Sequence, residues 1–322
     1  MTRRGFRVPN KSSLCKARGR LGARVMEEVF RQVAGPIAEK ERCPAAFWRG
    51  LRLEAFDGTV LDVADTEENA AEFTRPAGGA GPGGYPQARI IALAERGTHA
   101  LIDAAIGGRQ QGETTLAMEL AASTGSGTLV LADRNMPGVP LWLAFRRTGA
   151  HLLWRLKRPT AQRVDQVLPD GSYLTRIHLD KHQHAAHRRR GEPVPEPVLR
   201  VIEYTVEGSD EVLRLATSLL DPETAPASEL AALYHERWES EGIFAEIKTA
   251  QRDSRAVPLS GRPDGVRQQI WAHLIVHHLT RDLMHHAAVE AKTPLDPDRI
   301  SFRAAQRQVR TNLSPLISPL ST

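Results

Sequence analysis

The stretch that most limits what this chain can do is Tyr234-His-Glu-Arg237-Trp-Glu-Ser-Glu241-Gly-Ile-Phe-Ala-Glu-Ile-Lys248. Pro226 and Ser228 precede an apolar run, and Ser228 can cap a helix there. Successive helical residues turn by roughly 100°, so Tyr234, Arg237, Glu241 and Lys248 fall within an arc of roughly 60°. Ala245 lies in the same stripe, while Leu233, Ile243, Phe244 and Ile247 gather on another side that can face a core. One helix face therefore carries an acid, two cations and a phenol. An acid can hold a metal ion, and Arg and Lys hold phosphate. Those are the groups needed to cut a nucleic-acid backbone. On pattern alone, an amphipathic helix with an ion-paired surface is an equal reading.

Length and charge narrow the field. With 322 residues there is chain enough for a full core and two or three structural units. Hydrophobic residues make up 41%, which suits a globular protein rather than a disordered tail. The net charge of +5 and pI near 9.5 favour a polyanionic partner, with a membrane surface or plain solubility as the alternatives. Only Cys15 and Cys43 are present, at no metal-ligand spacing and with no sign of a disulfide framework. No apolar run reaches membrane-spanning length, and the basic start lacks an apolar signal core. A reducing cytoplasm is the simplest compartment.

Two upstream acids stand where strands end. Residues 51–63 alternate like a strand, with Asp57 after Phe56 and Gly58 allowing close approach. Asp62 and Asp65 are rivals, though Asp62 is five residues on and points to the opposite strand face. Read alone, Asp57-Gly58 is more often a turn. Residues 128–133 form a short apolar strand ending in Asp133, an acid costly to bury unless it serves something; a helix cap or turn residue is the alternative. Between them lie a mobile Gly/Pro loop at 76–87, a hairpin (88–94 and 99–106) and a helix at 113–123. The loop lacks the Lys-Ser/Thr ending of a nucleotide phosphate loop.

Taken together, Tyr, two residues, Arg, three residues, Glu, six residues, Lys resembles the signature of the DDE transposases of bacterial insertion sequences. The likeness is to the insertion-sequence family four type, which excises through DNA hairpins. Asp57-Gly-Thr with Asp65-Thr66 and Asn69 is similar to that family's first catalytic block. Asp133-Arg followed by Pro137-Gly138 is similar to its second. The resemblance implies an α/β fold: a ribonuclease-H-like mixed sheet flanked by helices, with a β-rich insertion and helical N- and C-terminal regions. It implies that Asp57, Asp133 and Glu241 bind two Mg²⁺ or Mn²⁺ ions, and that Tyr234, Arg237 and Lys248 contact DNA. It further implies action on transposon ends and target DNA as a homodimer in the cytoplasm, at the nucleoid. The alternatives are a truncated remnant that only binds DNA and a ribonuclease-H-fold resolvase.

The expected divisions are 1–48, a basic helical and partial DNA-binding region; 49–149, the first part of the core; 150–225, a β-rich insertion; 226–258, the last part of the core with the signature helix; and 259–322, a helical region. The family carries a larger N-terminal DNA-binding region, so the chain is expected to begin partway through it. Arg3, Arg4, Arg7, Lys11, Lys16, Arg18, Arg20 and Arg24 make the start basic, followed by Val25, Val29, Phe30 and Val33; phosphate contact and a merely soluble helix are both open. The 108 positions from Asp133 to Glu241 exceed one more helix-strand unit, and strands are expected at 151–156, 172–179, 198–206 and 213–219. A basic loop with Arg176, Lys181, His182, His184, His187, Arg188, Arg189 and Arg190 fits phosphate better than zinc, having no cysteine near. Trp154 is a core residue before it is a base-stacking one. A long helix is expected over 266–289 with Ile270, Leu274, Leu279 and Leu283 inside, and with His273 and His277 as a packed or exposed pair rather than metal ligands.

Overall fold

The computed structural model describes residues 10–76, 83–134, 138–157, 163–177, 179, 181–191, 193–206, 211–235, 260–291 and 300–317. The Gly/Pro loop residues 77–82 lie outside that set, as do Arg237, Glu241 and Lys248.

One sheet runs through the molecule. Its first strands are β1 (Phe47–Trp48), β2 (Leu51–Asp62), β3 (Gln87–Glu95), β4 (Leu101–Gly108), β5 (Thr128–Ala132) and β6 (His151–Arg155). The others are β7 (Gln166–Val167), β8 (Tyr173–Arg176), β9 (Val198–Thr205) and β10 (Val212–Thr217). The order is β4-β3-β2-β5-β6-β10-β9-β8-β7, with β1 beside β2. β2, β3 and β4 form an antiparallel meander, and β5 and β6 then run parallel to β2. Three antiparallel strands followed by two parallel ones is the ribonuclease-H-like arrangement.

The strands expected in the insertion do form, but they make no sheet of their own. β10 pairs antiparallel with β6, and β9, β8 and β7 continue outward from it. β6 itself pairs with β5, so it completes the core run of strands rather than opening the insertion.

Alternation along each strand sends side chains to two faces. On one face, Phe56, Leu93, Val130, Ala132, Leu152 and Trp154 pack against α3 (Glu113–Glu119) and α4 (Val139–Arg147). Trp154 is a core residue, meeting Phe56, Trp142 and Phe145 edge-on at centroid distances of 5.7, 5.2 and 5.9 Å. Trp154→Ala should cost about 3–5 kcal/mol, because so large a hole cannot collapse; urea unfolding of the purified variant measures it.

The opposite face is covered twice. Over β5 and β6, Leu53, Leu129, Leu131 and Leu153 meet Leu230, Leu233 and Tyr234 of α6 (Ala227–His235). Over β3 and β4, Ile90, Ala92 and Leu101 meet Phe30 of α1 (Lys11–Val33) and Val266, Ile270, Trp271 and Leu274 of α7 (Pro263–Val289). A last helix, α8 (Phe302–Ile317), packs on α7.

α1 is broken at Gly22, whose φ of 74° suits glycine, and the chain restarts with Ala23 N donating to Asp264 Oδ1 at 2.9 Å. Of its four apolar candidates, only Phe30 is buried; Val25, Val29 and Val33 form an i, i+4, i+8 row turned away from α7. On α7, Ile270 and Leu274 are inside as expected, but Leu279 and Leu283 are 47% and 52% exposed. The five-residue step from 274 to 279 swings the side chain by roughly 140° further round the helix. The buried stripe is instead continued by His277, His278, Arg281, Met284 and His285. His277 lies against Phe302 with ring centroids 5.1 Å apart, so its side of the histidine pair is packed.

The basic segment after β8 is a helix, α5 (Lys181–Arg190), not the loop its composition suggested. His187, Arg188, Arg189 and Arg190 occupy its last turn, where cations oppose the negative helix end.

Candidate active site

Asp57 lies in the middle of β2, where its pairing with β5 ends, and Asp133 follows the last residue of β5. β2 and β5 are in register from Arg52 beside Thr128 to Phe56 beside Ala132. Asp57 and Asp133 are the residues that follow the last of these pairs. Since Phe56 belongs to the α3/α4 face, alternation along β2 turns Asp57 to the other one. Asp57 there pairs across with Ala92, at the seam between the α6 layer and the α1/α7 layer. Ligands in open α/β sheets bind outside the carboxyl ends of the strands, which is this edge.

Both carboxylates are reachable: Asp57 is exposed and Asp133 half-buried. Each has turned one oxygen onto the next backbone N–H, with Gly58 N to Asp57 Oδ1 at 2.7 Å and Arg134 N to Asp133 Oδ1 at 2.6 Å. Among the described residues neither has a cationic side chain as ion-pair partner. The rivals are engaged elsewhere. Asp62 Oδ1 accepts from Gln87 Nε2 at 2.9 Å, and Asp65 is paired with Arg75.

α6 approaches this edge along a path held at both ends. At its start, Asp170 Oδ2 accepts from Ala227 N at 3.0 Å. Burial pushes the Asp170 carboxyl up, but donors from Ser172 and Ala227 and the neighbouring Arg200 charge outweigh it and leave its pKa lowered. Arg200, fully buried, ion-pairs with Asp170 and donates to Ser172 Oγ at 2.7 Å and Ala225 O at 2.6 Å. So the insertion strands hold the segment that leads into α6. At its end, Arg96 Nη1 donates to Leu233 O at 3.3 Å and the Tyr234 hydroxyl to Ala132 O at 3.1 Å.

The Tyr234 side chain is buried. Its ring lies on Leu53, Leu129, Leu131 and Leu153, and its hydroxyl points into the sheet. The other signature residues, Arg237, Glu241 and Lys248, lie outside the described residues, as do all positions from 236 to 259.

Residues 260 and 261 are held by the first aspartate block. Asn69, fully buried, donates to Ala64 O and Ser260 O, each at 2.9 Å, and Thr66 Oγ1 donates to Gly261 O at 2.8 Å. Thr66 also caps α2 (Glu67–Phe73) by accepting from Asn69 N at 3.2 Å. Asp170, Arg200 and Arg96 carried no readable signal: Asp170-Gly171 looks like any turn, and the arginines like any strand or turn cation. Arg188, Arg189 and Arg190 are exposed on α5. Among the described residues, no three His, Cys, Asp or Glu side chains gather closely enough to hold a metal, and no helix is long and apolar enough to cross a membrane.

The sheet order, with an acid following the paired stretch of each of β2 and β5, defines a protein of the ribonuclease-H-like class. The particular family follows from comparison. The model of the transposase DDE domain matches residues 48–279, and the chain belongs to that family. It is 30% identical over 293 residues to the transposase InsG for insertion sequence element IS4 of Escherichia coli strain K12, covering 90% of this chain and 64% of that protein. It is also 30% identical over 154 residues to the putative transposase InsZ of the same strain, covering 47% of this chain and 51% of that one. The chain thus spans less than two thirds of the length of these relatives. A solved structure, the piggyBac transposase synaptic complex with hairpin DNA, overlaps 84% of this chain and 54% of its own at 13% identity and a TM-score of 0.49.

Proposed function

We propose that this chain cuts DNA at the ends of an insertion sequence and joins the freed ends to a target, using Asp57, Asp133 and Glu241 with two Mg²⁺ or Mn²⁺ ions. What supports the reading above all is the β2/β5 register, whose last pair, Phe56 beside Ala132, immediately precedes Asp57 and Asp133. Their hard carboxylate oxygens suit those ions, and no nearby cation competes for them among the described residues. Such ions, when bound, lower the pKa of an attacking water or 3′-hydroxyl and offset charge on the leaving oxygen.

The chain's own part is to hold and orient. Water attacks the phosphorus at the element's end, and the 3′ oxygen leaves as a hydroxyl. That hydroxyl attacks a phosphodiester of the opposite strand, displacing the flanking DNA's 3′ oxygen and closing a hairpin; water reopens it and frees the 3′-hydroxyl, which attacks a target phosphodiester and displaces the target strand's 3′ oxygen. Arg237 and Lys248 grip phosphates beside these steps. Two copies of the chain on paired ends, at the nucleoid, complete the reading.

The test is incubation with a duplex carrying the inverted repeats that flank the gene, with Mg²⁺ or Mn²⁺. A hairpin product on a denaturing gel is expected. Binding without cleavage overturns the catalytic reading, and cutting of four-way junctions lacking any repeat overturns the choice of substrate.

The exposed arginines of α5 serve the same DNA as phosphate contacts. Changing Arg188, Arg189 and Arg190 together to Ala should make the plot of log affinity against log salt shallower by about 0.9 per lost contact. Fluorescence anisotropy across a salt series measures it.

A further inference from the structure

We propose that the Arg200–Asp170 ion pair is a positioning device for strand cleavage: it fixes the point from which α6 and the signature segment after it set out. The inference rests on the reading above, in which that segment supplies Glu241. Asp170 stands between β7 and β8, and Arg200 on β9, so both belong to the insertion strands. α6 begins at Ala227, and Arg237, Glu241 and Lys248 follow its last residue, His235, in the sequence.

A cation this deep is costly unless its donors are all engaged, and an apolar side chain would serve packing alone. Arg200 is fully buried, and its guanidinium is divided among three partners. Nε donates to Ser172 Oγ at 2.7 Å, Nη1 to Ala225 O at 2.6 Å, and Nη2 to the Asp170 carboxylate. The same Asp170 oxygen, Oδ2, accepts from Ala227 N at 3.0 Å, at the positive end of α6. Its other oxygen accepts from Ser172 N at 3.2 Å and from the Ser172 hydroxyl. Ala225, just before α6, and Ala227, its first residue, are thus tied to one planar fork on β9. Without that tie the start of α6 can shift, and a misplacement of about 1 Å far from the chemistry can cost about 100-fold in rate.

Asp170→Ala breaks the tie and leaves Arg200 buried without its counter-charge, so the melting temperature should fall. Asp170→Ala combined with Arg200→Met removes both charges and should recover much of that loss, because apolar groups replace buried ion pairs well. Position is not recovered with it. At a temperature where circular dichroism shows each variant folded, single-turnover cleavage of a saturating duplex carrying the flanking inverted repeat should stay about 10–100-fold below wild type in both. Affinity for the same duplex, labelled with fluorescein and with Ca²⁺ in place of Mg²⁺, should stay within about twofold of wild type. Asp170→Asn keeps an acceptor for Ala227 N; it should cleave faster than Asp170→Ala yet below wild type, and it carries the test if Asp170→Ala does not fold. A double variant that regains the wild-type rate along with its melting temperature shows a role in folding alone and overturns the inference. So does a deficit that vanishes at saturating duplex, or a wild-type rate in Asp170→Asn. Glu241→Gln run in parallel keeps the two claims apart: if it cleaves at the wild-type rate, the assignment of Glu241 has failed, whatever Asp170 does.

Discussion

Asp57→Asn and Asp133→Asn should each lower DNA strand cleavage by about 10³–10⁴-fold while leaving the fold and DNA affinity close to wild type. Metal-assisted stabilisation of transition-state charge is worth several kcal/mol, and each 1.36 kcal/mol is tenfold in rate. An amide keeps the side chain's shape but removes the charge that holds the ion. The structural cost is small because both side chains are at least partly exposed and each bonds locally, to the next backbone N–H. Asp62→Asn is the matched control. Its carboxylate is engaged by Gln87 beyond the paired strand ends, and cleavage should stay near wild type. Single-turnover cleavage at saturating duplex, with circular dichroism melts of each variant, checks all three. An Asp62→Asn loss as large as that of Asp57→Asn would move the site along β2.

The second large effect is on stability and its pH dependence. Glu54 sits opposite Glu95 in the β2/β3 ladder, only 2% exposed, and its pKa is raised from 4.5 to about 8. Burial is the main cause; the Glu95 charge adds to it and Arg52 opposes it. The two carboxylates are treated unequally. Glu95 is paired with Arg52 and accepts from Ala38 N at 2.8 Å, Ile37 N at 3.1 Å and Thr98 Oγ1 at 2.7 Å. Glu54 has a buried Oε2 with no hydrogen-bond partner.

Below pH 4.5 Glu54 is protonated in both folded and unfolded chains, and its ionisation costs nothing. As pH rises from 4.5 to about 8, the unfolded chain releases the proton and the folded chain keeps it, so stability falls. Above about 8 both forms are ionised and the loss levels off, at about 5 kcal/mol by linkage. Glu54→Gln, neutral at every pH, should match wild type near pH 4 and exceed it by a few kcal/mol near pH 8.5. Urea unfolding at both values measures the difference, and equal gains at both would show that Glu54 is already ionised in the folded protein.

Much of this protein was open to reading in one dimension. β2 and β5 announce themselves by alternation or by an apolar run, with Asp57 inside the first and Asp133 just after the second. The hairpin of β3 and β4 depends on one short turn, and the transposase family was legible in two aspartate blocks and one spaced tetrad. Patterns of this kind are local, so a single chain carries them. Glu241 completes the tetrad in the sequence, while its position lies outside the described residues.

Tertiary structure decided the rest, since burial depends on which surface arrives opposite. Tyr234 belongs to the same helical stripe as Arg237 in the sequence, yet α6 lands with that residue against the leucines of the sheet. Leu279 and Leu283 look like core and are not, because α7 can show only one stripe to β3 and β4, and Ile270 and Leu274 fix which. Glu54 looks like an outward strand residue until β3 places Glu95 across from it and closes off water. Composition and spacing record what each residue can do; the partner that meets it, often more than a hundred positions away, sets the dielectric and the hydrogen bonds that determine what it does.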